Sequence, residues 1–268
     1  MKRFVVALAT TSVVLGATQA TAHAVATAPP HARATEAVRV RVPNSVVEGE
    51  RFKVVVRLDR PAAAKIVTLE RQDADILGDK VWTALKSVRA KGRAKQVFTV
   101  IAEETSTGRF RAHVTFRDAK PATSKPGRTT VWRWTYLYAF ESYYATTGVW
   151  GRYSDDFAMN GTQYNGWHTY GDQPSWEERF TLGRHCKAIR GDFGVTDDSS
   201  DSTSALIALT ADDERAFTSG PLTPGMVQRA EVKLDMPYRL SITAAETSSS
   251  DLRVYPAIGT PELLCTGL

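Results

Sequence analysis

Apolar residues occupy every second position through much of the first half of the chain. Val38, Val40 and Val42 alternate with Arg39 and Arg41, and Phe52, Val54, Val56 and Leu58 are interleaved with Lys53 and Arg57. A period of two puts one set of side chains on each face of an extended strand. Pro43 to Glu50, with Asn44, Ser45 and Gly49, reads as a turn-rich connection. Further strands are expected at Ile66–Leu69, Trp82–Leu85, Val97–Ile101, Phe110–Phe116 and Thr129–Trp134. Lys120 to Gly127, rich in Pro and Lys, reads as a long loop between the last two of these. No internal repeat and no alternation of strands with helices competes with a β-sandwich over residues 38–136.

From Thr129 onward Trp132, Trp134, Tyr136, Tyr138 and Phe140 again fall at every second position. In one continuous strand, five rings would share a face. Such a stripe would serve as a sugar-stacking platform if exposed. Packing between two domains is the commoner use of such rings, so it is expected to seam the first sandwich to a second. That second sandwich is expected over residues 143–268, where Ala205–Leu209, Ala230–Leu234 and Leu240–Thr243 mix apolar and polar positions as a sheet with one wet face does. The fold class is therefore all-β, two β-sandwiches in series.

The N-terminus reads as an export signal: Lys2 and Arg3, an apolar run from Phe4 to Leu15, then Ala22-His23-Ala24. Removal of residues 1–24 would leave an Ala/Pro-rich disordered spacer over residues 25–37 and a secreted, extracellular chain. No apolar run reaches membrane-spanning length. In an oxidising compartment the two cysteines, Cys186 and Cys265, most simply form one disulfide. Two free thiols or a metal pair are weaker readings, because no His or Cys cluster accompanies them.

The net charge of +5 conceals an asymmetry. Residues 25–136 carry 22 Lys and Arg against 11 Asp and Glu, whereas residues 137–268 carry 10 against 18. A nucleic-acid partner is not expected, since the acidic half would be repelled. The basic half could associate with an anionic cell-wall polymer or simply be a solvated surface.

Two resemblances refine this picture. Val67-Thr68-Leu69-Glu70-Arg71-Gln72, then Trp82, then Thr107 to Phe116 is similar to the strand pattern of bacterial immunoglobulin-like domains. Phe110 stands where their corner tyrosine would, so the hydroxyl tie is absent. In the second half, Phe157-Ala158-Met159-Asn160-Gly161, Tyr164-Asn165-Gly166-Trp167, Phe180 to Gly183, Phe193 to Val195, the turn Asp197 to Ser202, and Ser219 to Gly225 resemble in order the NPCBM family of carbohydrate-binding modules. This resemblance covers most of Tyr143 to Cys265. It implies a galactose-binding-like jelly roll, a bridge from Cys186 to Cys265, and a glycan as ligand. One departure is that Tyr255-Pro256-Ala257-Ile258-Gly259 replaces the acidic residue and Trp that relatives carry before the last strand.

Sugar binding needs flat rings against pyranose C–H faces and polar groups to fix hydroxyls. The richest supply lies between Trp150 and Trp176. Trp150, Tyr170 and Trp176 have polar or Gly neighbours and are the candidate exposed rings. Trp167 is a further candidate, at a position the family resemblance assigns to packing, and Asn165 supplies amide groups nearby. Asp197, Asp198 and Asp201 could hold a structural calcium, but their spacing is not that of an EF-hand, and Asp and Ser bonding their own turn explain the cluster as well. No other cofactor is expected. Asp156 and Glu178 could be cast as glycosidase carboxylates, yet nothing in their spacing selects them, and no nucleophile or metalloprotease motif is present. The sequence thus points to a secreted, non-catalytic, monomeric protein that binds a glycan or cell-wall polysaccharide. The alternatives are a structural or adhesive protein without a sugar site and, less favoured, a glycosidase.

Overall fold

The computed structural model describes residues 38–103, 106–169, 175–248 and 252–267, without the side chains of residues 106, 107 and 150–156. The expected signal segment, spacer and Tyr170 lie outside the described residues. In the first half the strands are β1 (Val38–Arg41), β2 (Ser45–Val47), β3 (Arg51–Leu58), β4 (Ala64–Ala74), β5 (Lys80–Arg89), β6 (Lys95–Ile101), β7 (Ser106–Phe116), β8 (Ala122–Thr123), β9 (Gly127–Arg128) and β10 (Thr130–Tyr136). A 3-10 turn, Leu137–Ala139, leads to β11 (Ser142–Ala145), β12 (Val149–Met159), β13 (Thr162–Thr169), β14 (Ser175–Thr181) and β15 (Cys186–Val195). The chain closes with β16 (Ala205–Ala211), β17 (Glu214–Thr218), β18 (Val227–Lys233), β19 (Arg239–Glu246) and β20 (Pro256–Cys265). The protein is all-β, and among the described residues no helix is long and apolar enough to cross a membrane.

Every strand expected from alternation in the first half is present. Two sheets, β1-β3-β6 and β5-β4-β7-β8, share one apolar core. Val54, Val56 and Phe98 meet Val67, Leu69, Phe110 and Val114 there, and Phe52 sits edge-on to Phe110 with ring centroids 5.5 Å apart. Phe110 is a fully buried ring. The stretch expected as a loop, residues 120–127, instead contributes β8 and the start of β9, both paired antiparallel to β7.

In the second half, the five-stranded sheet β11-β14-β19-β16-β17 lies against a sheet built on β20. Trp176, Phe180, Ile207, Leu209, Leu240 and Ile242 from the first meet Trp167, Ile189, Phe193, Ile258 and Leu263 from the second in one buried cluster. β20 pairs with β15 along one edge, and β15 with β18 beyond it. The other edge is shared: β13 takes Ala257–Gly259 and β10 takes Glu262–Cys265. β10 also pairs in parallel with β2, so one sheet runs from the first half into the second.

The five-ring stripe is broken. Trp132 and Trp134 lie on β10, but the 3-10 turn at Leu137–Ala139 ends the extended period before Tyr138. Leu137 is drawn fully into the second core, and the chain turns to put it there. Tyr138 consequently comes round to stack on Tyr136, with centroids 5.2 Å apart and planes 14° apart. Trp132 and Trp134 are half-buried under cations from β15: Lys187 Nζ lies 4.2 Å above the first ring and the Arg190 guanidinium 4.1 Å above the second.

The Cys186–Cys265 disulfide joins directly opposite residues of β15 and β20, and closes a separation of 79 residues. Cys265 is also the residue opposite Arg133 of β10. A loop of this length is worth roughly 4–5 kcal/mol when chain entropy alone is counted. The Cys186→Ser/Cys265→Ser double variant should therefore unfold at clearly lower denaturant, with a loss of roughly that size. An unchanged midpoint would show that the bridge does not hold the last strand.

Candidate functional site

Two residues interrupt β20 where its two partners on the shared edge meet. Gly259 ends the pairing with β13, Glu262 begins the pairing with β10, and Thr260-Pro261 between them has no partner on that edge. Pro261 has no N–H to donate. Thr260 has φ of 45°, in the left-handed region that β-branched residues rarely adopt. On the opposite edge the register shifts between Arg190 and Asp192, so Gly191 alone spans the irregularity.

The interruption opens a cavity of ≈ 240 Å³ lined by Tyr136, Tyr138, Asn165, Gly166, Trp167, Thr260 and Pro261. One wall is the stacked Tyr136–Tyr138 pair, whose outer ring is 44% exposed. Gly166 is required here: a Cβ at this position would fall 2.0 Å from the Ile258 carbonyl oxygen. Trp167 is buried in the main core and packs edge-on against Phe180. Its indole N–H meets no acceptor among the described residues. A buried donor left unpaired costs about 1–3 kcal/mol.

Across Thr260 lies a second depression of ≈ 270 Å³, lined by Arg190, Gly191, Asp192, Arg229, Gly259, Thr260 and Glu262. Its charges are fixed in pairs. Arg190 donates through Nε to Glu262 Oε2 at 2.6 Å, and Arg229 grips both Asp192 oxygens at 2.8 and 2.9 Å. Bidentate geometry of this kind fixes orientation as well as charge. The Tyr164 ring lies across Gly259, where a Cβ would approach to 2.4 Å. Burial, then the charge of Asp192 and a hydrogen bond to it, push the Tyr164 phenol above its ordinary range.

The rings expected to bind fare differently. Trp176 is not an exposed ring: it is 2% exposed in the main core and donates its indole N–H to the Pro256 carbonyl at 2.9 Å. Alternation along β14 turns Trp176, Glu178 and Phe180 inward together, so Glu178 is likewise buried away from the cavity. Trp167 is core and cavity lining at once. Trp150 is opposite His168 on β12, and its side chain, like that of Asp156, lies outside the described part of the structure.

Asp197 accepts from the backbone N–H of Asn160 at 2.6 Å and of Gly161 at 2.8 Å, and so holds the β12–β13 turn. Asp198 and Asp201 are exposed, and no group of three metal-ligating side chains occurs among the described residues. Tyr136, Tyr138, Thr260 and the four charged residues were not legible as a site. The usable signal was Gly259-Thr260-Pro261 inside a strand pattern, where Gly and Pro mark a bulge.

Neither a sequence-family profile nor a curated protein matches the chain. Among solved structures it is similar to a CBM51 module from a Clostridium perfringens GH95 protein in complex with methyl-galactose, at 18% identity over 48% of this chain and 99% of that one, with a TM-score of 0.38. It is also similar to CBM51-2 and INT domains of Clostridium perfringens ZmpB, at 12% identity over 59% of this chain and 38% of that one, with a TM-score of 0.41. A ZmpB structure with the M60 catalytic domain and both CBM51 domains is matched at 16% identity over 87% of this chain and 32% of that one, with a TM-score of 0.41. The chain thus spans well under half of both ZmpB structures.

Tyr164 gives a pH signature. Because its folded pKa is raised, the neutral phenol contributes stability below the ordinary tyrosine pKa of about 10, and this is lost as pH rises through the folded value. In an ultraviolet titration, the wild type minus Tyr164→Phe difference should show one phenol ionising above about pH 10. Ionisation at or below that pH would contradict its placement against Asp192.

Proposed function

We propose that this chain is a secreted, non-catalytic carbohydrate-binding protein whose ligand is a glycan held at the break in β20. The reading rests chiefly on one observation: the stacked Tyr136–Tyr138 pair walls a cavity at the break in β20. A pyranose offers an apolar C–H face to a ring and a rim of hydroxyls to fixed polar groups. Asn165 and Thr260 line the same cavity, and each carboxylate of the adjoining depression is paired with an arginine. The volume lies just below the roughly 300–1,000 Å³ of small-molecule pockets, which suits one sugar unit rather than a long segment.

In this reading the chain comprises an immunoglobulin-like sandwich over residues 38–136 and a galactose-binding-like, NPCBM-type sandwich over residues 143–268. Support for the first is the division of β1-β3-β6 from β5-β4-β7 and the parallel pairing of β10 with β2. Support for the second is the order of the motifs and the Cys186–Cys265 bridge, which also suits an oxidising, extracellular setting. One observation supports the absence of catalysis. A glycosidase needs one carboxyl to donate a proton and another left free as base or nucleophile. Both carboxylates of the depression, Asp192 and Glu262, are instead bound to arginines.

A glycan array probed with the full chain tests the proposal, and a flat array would favour the structural or adhesive alternative. For a glycan that binds, Tyr136→Ala should weaken affinity several-fold, since a stacking ring contributes about 0.5–1.5 kcal/mol beyond its area. The thermal midpoint should change little, because this ring belongs to neither main core. Unchanged affinity would move the site elsewhere, and steady release of reducing ends from the bound polysaccharide would make the protein an enzyme.

A further inference from the structure

The outer face of the sheet β1-β3-β6 carries an uncompensated field of positive charge. Directly opposite residues in antiparallel strands share a face. The register sets Arg39 opposite Arg57, and Arg57 opposite Lys95, so three cations stand in one row across three strands. Arg41 follows on β1, and Lys53 and Arg51 continue along β3. All six are exposed, while the inward positions of the same strands, Val54, Val56 and Phe98 among them, are core. Arg39 alone has a carboxylate partner, Asp59 at 2.6 Å; among the described residues the other five have none.

Like charges directly opposite one another destabilise a sheet. A solvated surface would mix signs, as the second half does, where Arg179, Arg190 and Arg229 each have a carboxylate. A polyanion laid along the row would neutralise these charges and offset that cost. Strands lie roughly 4.8 Å apart and alternate residues on a strand roughly 7 Å apart, spacings that the charges of a linear anionic chain can match.

We infer that this face is a second binding site, for a polysaccharide bearing sulfate, phosphate or carboxylate groups. The glycan backbone is favoured over single-stranded nucleic acid because the face presents no ring on which bases could stack; Val55, Val97, Thr99 and Ile101 fill the spaces between the cations. It is favoured over a lipid surface because these aliphatics are shorter than the surrounding Arg and Lys side chains and cannot enter a bilayer ahead of them. The inference is independent of the cavity at β20.

The test measures binding of the full chain to dextran sulfate, unmodified dextran, single-stranded DNA and phosphatidylglycerol vesicles. Dextran sulfate should bind, and its affinity should fall by roughly 10- to 100-fold between about 50 and 200 mM NaCl as counterions are no longer released. Unmodified dextran should not bind through this face. The Arg39→Gln/Arg57→Gln/Lys95→Gln variant should lose roughly tenfold or more in affinity, with a flatter salt dependence and a thermal midpoint equal to or above that of the wild type. Arg215→Gln, an exposed cation on β17, should bind dextran sulfate as the wild type does. Undiminished binding by the triple variant would overturn the site. Tighter binding to DNA or vesicles than to dextran sulfate would overturn the assignment to a polysaccharide.

Discussion

The last ten residues of the described sheet carry the architecture. β20 is the strand to which β15, β13 and β10 all attach, and a disulfide fastens it at Cys265. Hydrogen-bond ladders need continuous extended backbone on both sides, so a central strand dictates where its partners begin and stop. With Ile258, Leu263 and Cys265 in the main core, the same strand also fixes the sandwich from within. The disulfide closes a separation of 79 residues, so the pairing of β15 with β20 is long-range in sequence.

The candidate site is the place where that strand fails to be regular. Pro261 removes a donor, Thr260 takes a positive φ, and the partner edge splits between two strands that cannot both occupy the gap. Gly166 and Gly259 then let backbone and the Tyr164 ring approach where any side chain would clash. Backbone strain and missing ladder bonds cost stability, and they persist here because the flanking pairings and the disulfide hold both sides in place. The result is a cavity with an aromatic wall on one side of Thr260 and a rigid charged depression on the other.

Cations are used in two ways across the molecule. In the second half, Arg190 lies over Trp134 while bound to Glu262, so one guanidinium covers an apolar ring and fixes a carboxylate. Lys187 covers Trp132 in the same manner. These contacts turn half-buried tryptophans into packing at the strand that joins the two halves. On the outer face of β1, β3 and β6, five of the six cations have no carboxylate partner among the described residues, and only Arg39 is paired, with Asp59.

Alternation at Val38–Val42, at Phe52–Leu58 and at Phe110–Phe116 made the first half legible in the sequence, since strands with one core face must repeat every two residues whatever they pair with. The cysteine pairing was legible too, because two cysteines allow a single bridge. Trp132 and Trp134 were readable as strand residues, but Tyr138 was not: ending the strand at Tyr136 depended on the pull of Leu137 into a core assembled from residues far along the chain. Trp176 looked exposed from its polar neighbours, yet alternation on β14 turned it inward, and only the strand's place in a sheet reveals which face is which. The site itself lay beyond the sequence for the same reason. Tyr136, Asn165 and Thr260 are remote in the chain, and their meeting is decided by two strands sharing one edge of β20, a fact of tertiary pairing that no local pattern encodes.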